Sequence, residues 1–141
     1  MKVRELMTTD VVTCTPSTPV SEVAKILLQN DIGSLPVVEN NRLTGVVTDR
    51  DIVIRCIARG IDPSKTTASE CMTKNPVTIT PNTDAHEASR LMADEQVRRL
   101  PVVENGNLIG MCSLGDLAVV DIHVNEAGNA LSGISEQSRI H

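Results

Sequence analysis

The sequence predicts a mixed α/β (α+β) fold of two βαββα-like repeats packed with pseudo-two-fold symmetry. Two observations carry that prediction. The first is that the chain is written twice. With Met7 laid on Met72, Pro16 falls on Pro81, Gly45 on Gly110 and Asp51 on Asp116, and residues 3–53 match 68–118 without a gap. The run Leu35, Pro36, Val37, Val38, Glu39, Asn40 recurs as Leu100, Pro101, Val102, Val103, Glu104, Asn105. The second is that each copy alternates between strand-like and helix-like apolar spacing. A copy of about 50 residues is too short to bury much core alone, so the two are expected to pack on each other. The repeats are placed at 1–62 and 63–124, followed by a tail, 125–141, read as a short helix or disordered.

Each copy reads as strand, helix, strand, strand, helix. Residues 11–15 are β-rich and closed by Pro16. Thr18 is placed to cap the first helix and Pro19 to open it, where a missing N–H costs nothing. Val20, Val23, Ala24 and Leu27 then form one helical face, repeated by Ala85, Ala88 and Met92 behind Thr83 as cap. Val37 and Val38 form a brief strand, Asn40-Asn41 and Asn105-Gly106 are tight turns, and 43–48 and 108–113 return as strands. The second helices span 49–59, ended by Gly60, and 115–124; residues 61–67 link the copies.

Composition narrows the function. The chain has 141 residues, 40% hydrophobic, and no Phe, Tyr or Trp, so its core is aliphatic. Single-strand and RNA binders stack bases on aromatic rings that this chain lacks. The net charge of −5 also argues against nucleic acid as a partner. Cys14, Cys56, Cys71 and Cys112 form no C-x-x-C pair and show no metal-finger spacing. Cys14 aligns with Ile79 and Cys112 with Val47, which reads as small apolar residues in a core. Reduced thiols, the lack of a signal-like N-terminus and the lack of an apolar run of about 18 residues predict a cytoplasmic protein away from membranes. His86, His123 and His141 have no spaced catalytic partners, so no enzyme and no metal site is expected.

The segment 45–52 and its copy 110–117 carry the chemistry. Both have Gly, two apolar residues, a hydroxyl residue (Thr48 or Ser113), two variable residues, Asp (Asp51 or Asp116) and an aliphatic residue, where a strand runs into a helix. The plainer reading is a capping box with Asp in the usual Glu position. The functional reading uses the same geometry. A helix N-terminus suits phosphate, a carboxylate in its first turn can accept both hydroxyls of a ribose diol, and the Thr or Ser hydroxyl can reach ribose or phosphate. Arg98 and Arg99 precede the 100–105 run, where repeat 1 has Gly33 and Ser34. Arginine suits bidentate phosphate contact; a solvated surface pair is the alternative.

These motifs resemble a tandem pair of cystathionine β-synthase (CBS) domains, a Bateman module, over residue 3 to about 120. The resemblance implies βαββα-like copies packed through their sheets, with adenosine-containing ligands in the clefts between copies. It makes Thr48, Asp51, Ser113 and Asp116 ribose or phosphate contacts and points Arg98 or Arg99 at phosphate. Thr13, Thr15, Thr78 and Thr80, with Ile32 or Val97, would flank the base. The candidate ligands are AMP, ADP, ATP or another adenosyl compound, with no catalytic cofactor. Repeat 1 departs from the pattern in having no basic residue at 33–34, so its site is expected to differ in phosphate affinity. No catalytic or transporter domain accompanies the pair, which implies action on an unknown protein target in trans. CBS pairs associate through helices, and Ile54, Ile57, Val119 and Val120 supply apolar positions for a homodimer. The alternative is a ligand-free dimerisation or interaction scaffold.

Overall fold

The computed structural model describes residues 1–118; the expected 115–124 helix beyond that point, Val119, Val120, His123, His141 and the tail lie outside the described residues. The chain forms two compact units, and they are cut differently from the repeats as expected at 62/63. One is Val12–Pro76; the other joins Met1–Val11 to the described residues from Val77 on. Each repeat therefore gives its opening segment to the unit built on the other repeat.

In the unit Val12–Pro76, helix α1 (Val20–Asn30) precedes a hairpin of β1 (Ser34–Glu39) and β2 (Arg42–Thr48). Helix α2 (Asp49–Ile52) runs on as a π-helical turn, Val53–Ile57, and a short helix α3 (Ala68–Cys71) leads into β3 (Thr73–Lys74), which pairs antiparallel with β2. The other unit opens with a 3-10 turn, Val3–Glu5, and repeats the plan with α4 (Ala85–Glu95), β4 (Arg99–Glu104), β5 (Asn107–Ser113) and α5 (Leu114–Ala118). Both hairpins are antiparallel and carry a bulge at the same place, between Val37 and Val38 and between Val102 and Val103. Their turns use positive φ, 51° and 68° at Asn40 and Asn41, 54° and 83° at Asn105 and Gly106. These are the conformations that Asn and Gly tolerate best.

The strand expected at 11–15 is reduced to a single parallel bridge, Cys14 to Val37, matched by Ile79 to Val102. Prolines explain the truncation. Cys14 N–H donates to the Pro36 carbonyl at 3.0 Å and Val38 N–H to the Cys14 carbonyl at 2.8 Å. Extending this ladder one step requires an N–H from Pro36 toward Val12 or from Pro16 toward Val38, and proline has none to give. Pro101 and Pro81 stop the second copy the same way.

The caps also differ from expectation. Thr18 does not cap α1: its Oγ1 accepts from Thr15 N–H at 3.0 Å, and Thr83 does the same for Thr80. The N-cap residues are Pro19 and Asp84, the latter accepting from His86 N–H at 2.9 Å. Free N–H groups at the start of α1 bond instead to the Thr66 and Pro63 carbonyls at 2.8 and 3.0 Å. Of the expected α1 face, Val20, Val23 and Leu27 are buried and Ala24 is exposed; Ala85, Ala88 and Met92 are all buried.

The exchanged segments complete the two cores. Val3 is fully buried among repeat 2 residues such as Leu100, Val102 and Leu117, with Leu6 and Met7 packed alongside. Ala68, Cys71 and Met72 do the same for repeat 1 against Leu35, Val37 and Val47. The crossing works because Gly45 and Gly110 have no side chain. A Cβ on Gly45 would stand 2.6 Å from Met72 Sδ and 2.8 Å from the Thr73 carbonyl oxygen; on Gly110 it would stand 2.8 Å from Met7 Sδ and 2.9 Å from the Thr8 carbonyl oxygen.

Gly110→Ala is expected to lower stability by about 1–3 kcal/mol, because it overpacks a backbone crossing. Adding Met7→Ala should not restore it, since the Thr8 carbonyl still blocks the methyl. Denaturant melts of the single and double variants check this, and full rescue by the double variant would contradict it.

Candidate functional site

Both Thr/Ser-x-x-Asp segments fold as reciprocal capping boxes, and the two differ in what else they touch. In repeat 1, Asp51 N–H donates to Thr48 Oγ1 at 3.0 Å and Thr48 N–H donates to Asp51 Oδ2 at 3.0 Å. In repeat 2, Asp116 N–H donates to Ser113 Oγ at 3.1 Å and Ser113 N–H to Asp116 Oδ2 at 2.8 Å. The β-bonding of the strand therefore passes directly into the first turn of a helix, with one carboxylate oxygen committed to the backbone. A carboxylate held in this way keeps its other oxygen, Oδ1, for a further donor.

Repeat 1 sets further groups around its carboxylate. Thr73 Oγ1 donates to Asp51 Oδ2 at 3.4 Å, and Arg55 Nε stands 3.9 Å from Asp51 Oδ1. Arg55 Nη1 also donates to the Met72 and Cys71 carbonyls at 2.9 and 3.3 Å. Among the described residues, Asp116 is engaged only within its own capping box. Sequence reasoning missed Arg55 and Thr73. The i, i+4 spacing of Asp51 and Arg55 was a legible signal; the approach of Thr73 depends on the exchanged segment and was not.

The turn beside each box carries opposite charge. Asp49 N–H donates to the Gly33 carbonyl at 2.9 Å, and Leu114 N–H donates to the Arg98 carbonyl at 2.8 Å. The backbone contact is the same, yet repeat 1 places a carboxylate there and repeat 2 an arginine. A Cβ on Gly33 would lie 3.4 Å from Asp49 Oδ2. Arg50, where repeat 2 has Gly115, follows directly, its N–H donating to Asp49 Oδ1 at 2.8 Å. Arg98 and Arg99 are both exposed. Arg99 lies directly across the ladder from Ser113, as Ser34 does from Thr48, and directly opposed residues project to the same face.

The remaining expected contacts are spread along the same units. Ile32 and Val97 are half-buried beside Gly33 and Arg98. Thr13 and Thr15 flank the Cys14 bridge on the edge of β1 away from β2, and Thr78 and Thr80 flank the Ile79 bridge on β4. The Thr15 and Thr80 hydroxyls already meet those of Thr18 and Thr83 at 3.0 and 3.1 Å. Among the described residues, no hydrogen bond joins these four threonines to the capping boxes, so the structure groups Thr48 with Asp51 and Ser113 with Asp116 but leaves the threonines as a separate edge.

The four cysteines are free and buried. Burial lifts the Cys14 thiol from 9.0 to about 11 and the Cys112 thiol to about 12, the Asp116 charge adding to the latter. Burial first, then the charges of Asp51 and Cys56, also raise Cys71, against a smaller opposing effect of Arg55. Such thiols stay protonated and behave as apolar residues. Among the described residues, no three His, Cys, Asp or Glu side chains gather as a metal site, and no helix is long and apolar enough to cross a membrane.

A family model, CBS domain, matches residues 3–57 and again 68–123. The chain is 44% identical over 136 residues to the CBS domain-containing protein YhcV of Bacillus subtilis, covering 96% of each chain. It is similar to the crystal structure of Hypoxic Response Protein I with two coordinated zinc ions, at TM-score 0.78 and 32% identity, covering 84% of this chain and 98% of that one. It is also similar to the crystal structure of CBSX2 in complex with AMP, at TM-score 0.76 and 27% identity, covering 88% and 98%.

Two measurements check the site geometry. Asp51→Ala is expected to cost more stability than Asp116→Ala, because each loses a cap worth about 1 kcal/mol but only Asp51 also anchors Thr73 and Arg55. Equal losses in thermal melts would contradict this. The raised thiols set a pH dependence with a definite sign. The unfolded thiols ionise near 9.0 while folded Cys14 and Cys112 hold their protons to about 11 and 12, so stability is full below 9.0 and falls as pH rises above it. Denaturation midpoints should drop across that window, and the Cys14→Ile, Cys112→Val variant, borrowing the residue of the other repeat at each site, should drop less.

Proposed function

The chain belongs to the CBS domain family, and we propose that it is a regulatory module that senses adenosine-containing nucleotides and acts on a protein partner in trans, in the cytoplasm, without catalysing a reaction. AMP, ADP, ATP or another adenosyl compound is the ligand class. The single observation that carries this reading is the duplicated strand-to-helix turn in which a hydroxyl and a carboxylate stand together at the first turn of a helix. A carboxylate there accepts the ribose diol, and the adjoining N–H groups favour negative charge. The AMP complex of CBSX2, a structure of similar fold, supports the adenine nucleotide.

Repeat 2 is the stronger phosphate site in this reading. Asp116 has an oxygen to offer, Arg98 adjoins the helix start through its own carbonyl, and Arg99 shares a face with Ser113. Repeat 1 offers Asp49 at the matching turn, which repels phosphate and weakens the pull of Arg50. Thr13, Thr15, Ile32, Thr78, Thr80 and Val97 are assigned to the base. A ligand-free scaffold is the second reading, favoured by one observation: Asp51 is already engaged by Thr48, Thr73 and Arg55.

The module is assigned a homodimeric state. Val53, Ile54 and Ile57 are 53%, 49% and 52% exposed along one short helical stretch, an apolar surface that a second copy would cover. Light scattering at micromolar concentration is expected to give twice the chain mass; a monomer mass contradicts the assignment.

Calorimetric titration tests the ligand. Asp116→Ala is expected to weaken AMP binding by about 1.5–3 kcal/mol, the worth of hydrogen bonds to a charged group. Arg99→Ala should collapse the preference among AMP, ADP and ATP at the tighter site, and that preference in the wild type should weaken with salt. If neither Arg99→Ala nor Arg98→Ala changes phosphate preference, the arginine pair has no part in binding.

A further inference from the structure

Among the described residues, the connection between Asp51 and the exchanged segment has no counterpart in repeat 2, and it gives the two boxes different behaviour. The strap of residues 71–76 closes the unit Val12–Pro76 and then leads into the other unit at Val77. It is held at four places. Its backbone pairs with β2, Thr73 opposite Val46 and Lys74 opposite Gly45. Cys71 Sγ donates to the Asp51 carbonyl at 3.3 Å. Thr73 Oγ1 donates to the Asp51 carboxylate at 3.4 Å. Arg55 donates to the Met72 and Cys71 carbonyls at 2.9 and 3.3 Å while its Nε stands 3.9 Å from the other oxygen of the same carboxylate. One guanidinium thus spans the carboxylate and the strap. The residue of repeat 2 aligned with Arg55 is Val120, which has no donor.

We propose that Arg55 is a positioning residue that couples occupancy of Asp51 to the strap, so that a ribose taken at Asp51 loosens residues 72–76 and the segment they lead into. This rests on the reading of Thr48 and Asp51 as a ribose site. The shared carboxylate carries the coupling. Oδ2 already accepts the Thr48 N–H at 3.0 Å, and that bond is part of the cap. With the Thr73 hydroxyl as its second donor Oδ2 is filled, so a diol that sets one O–H on each oxygen displaces the weaker Thr73 hydroxyl from Oδ2 and meets the Arg55 guanidinium 3.9 Å from Oδ1. This exchange removes a tether of the strap from the carboxylate. Past Asn75, held at φ 50°, and Pro76, the chain continues into Thr78, Ile79 and Thr80, the edge assigned to the base in repeat 2. Asp51 is thereby linked through a short length of backbone to the other site. By linkage, a ligand at the second site alters affinity at Asp51 in the same proportion.

Amide hydrogen exchange of the strap, with and without AMP, tests the proposal in the full chain. In the wild type, saturating AMP is expected to speed exchange at Thr73 and Lys74 about threefold or more. In Arg55→Ala these amides should exchange fast without ligand and respond little to AMP, although AMP still binds. Arg55→Lys, which keeps the charge but not the spanning fork, should behave like Arg55→Ala; a merely electrostatic or structural role would let lysine restore the response. Thr73→Val keeps the backbone pairing and loses only an exposed hydroxyl, so it folds whether or not the arginine variants do. It should raise AMP affinity at this site about twofold to fivefold, since no hydroxyl then has to be displaced. If the wild type binds AMP but strap exchange does not change, or changes equally in Arg55→Ala, or if Thr73→Val leaves affinity unchanged, the coupling is overturned while the nucleotide reading stands. If the wild type binds no adenine nucleotide, the reading fails and the coupling with it.

Discussion

A methionine and the carbonyl after it, pressed onto a strand glycine, hold each unit together. Met72 and Thr73 lie on Gly45, and Met7 and Thr8 lie on Gly110, at distances no side chain would fit. Because the methionine in each contact comes from the opening of the other repeat, neither repeat closes its own core. Val3 is buried with repeat 2 residues and Ala68 with repeat 1 residues. For copies of this length a shared core is a physical need, since one copy buries too little apolar surface to offset its conformational entropy. Without aromatic rings, that core relies on many small aliphatic contacts, and an added methyl at the crossing has nowhere to go.

The same crossing governs the candidate site. The strap that packs on Gly45 carries Thr73, which reaches the Asp51 carboxylate, and its carbonyls are the acceptors for Arg55. A capping box becomes a ribose acceptor only to the extent that its carboxylate has lone pairs to spare. Among the described residues Asp116 serves only its cap, whereas Asp51 Oδ2 also accepts the Thr73 hydroxyl and its Oδ1 faces the Arg55 guanidinium. Two boxes of matching sequence thus differ chemically through neighbours that lie well outside the motif. The charge reversal at the adjoining turn, Asp49 against Arg98, acts in the same direction.

Much of this was legible from the residues. The duplication, both hairpins with their Asn turns, the reciprocal pairing of Thr48 with Asp51 and of Ser113 with Asp116, and the apolar burial of the cysteines follow from spacing and residue type. Other features depend on pairs of distant residues. The ladder beside Cys14 and Val37 stops because Pro36 and Pro16 have no N–H to give to the Val12 and Val38 carbonyls, a pairing not visible in residues 11–15 taken alone. Thr18 has the chemistry of a cap, but the Thr15 N–H takes its oxygen. The division at Val11 and Pro76 was hidden because repeats in sequence and compact units in space need not share boundaries. Thr73 was silent as a site residue for the same reason: its partner lies 22 positions back in the chain.

The central claim, that the hydroxyl–carboxylate turns are built to take an adenosine nucleotide, is tested most directly by equilibrium dialysis against AMP. A chain with no Phe, Tyr or Trp is nearly transparent at the wavelength where adenine absorbs, so bound nucleotide is read directly from the protein compartment. The account predicts excess absorbance on the protein side that saturates at one or two AMP per chain and falls when Asp116 is replaced by alanine. Equal absorbance in both compartments up to about 1 mM AMP, a concentration at which even weak binding registers, would contradict it and leave the turns as helix caps alone.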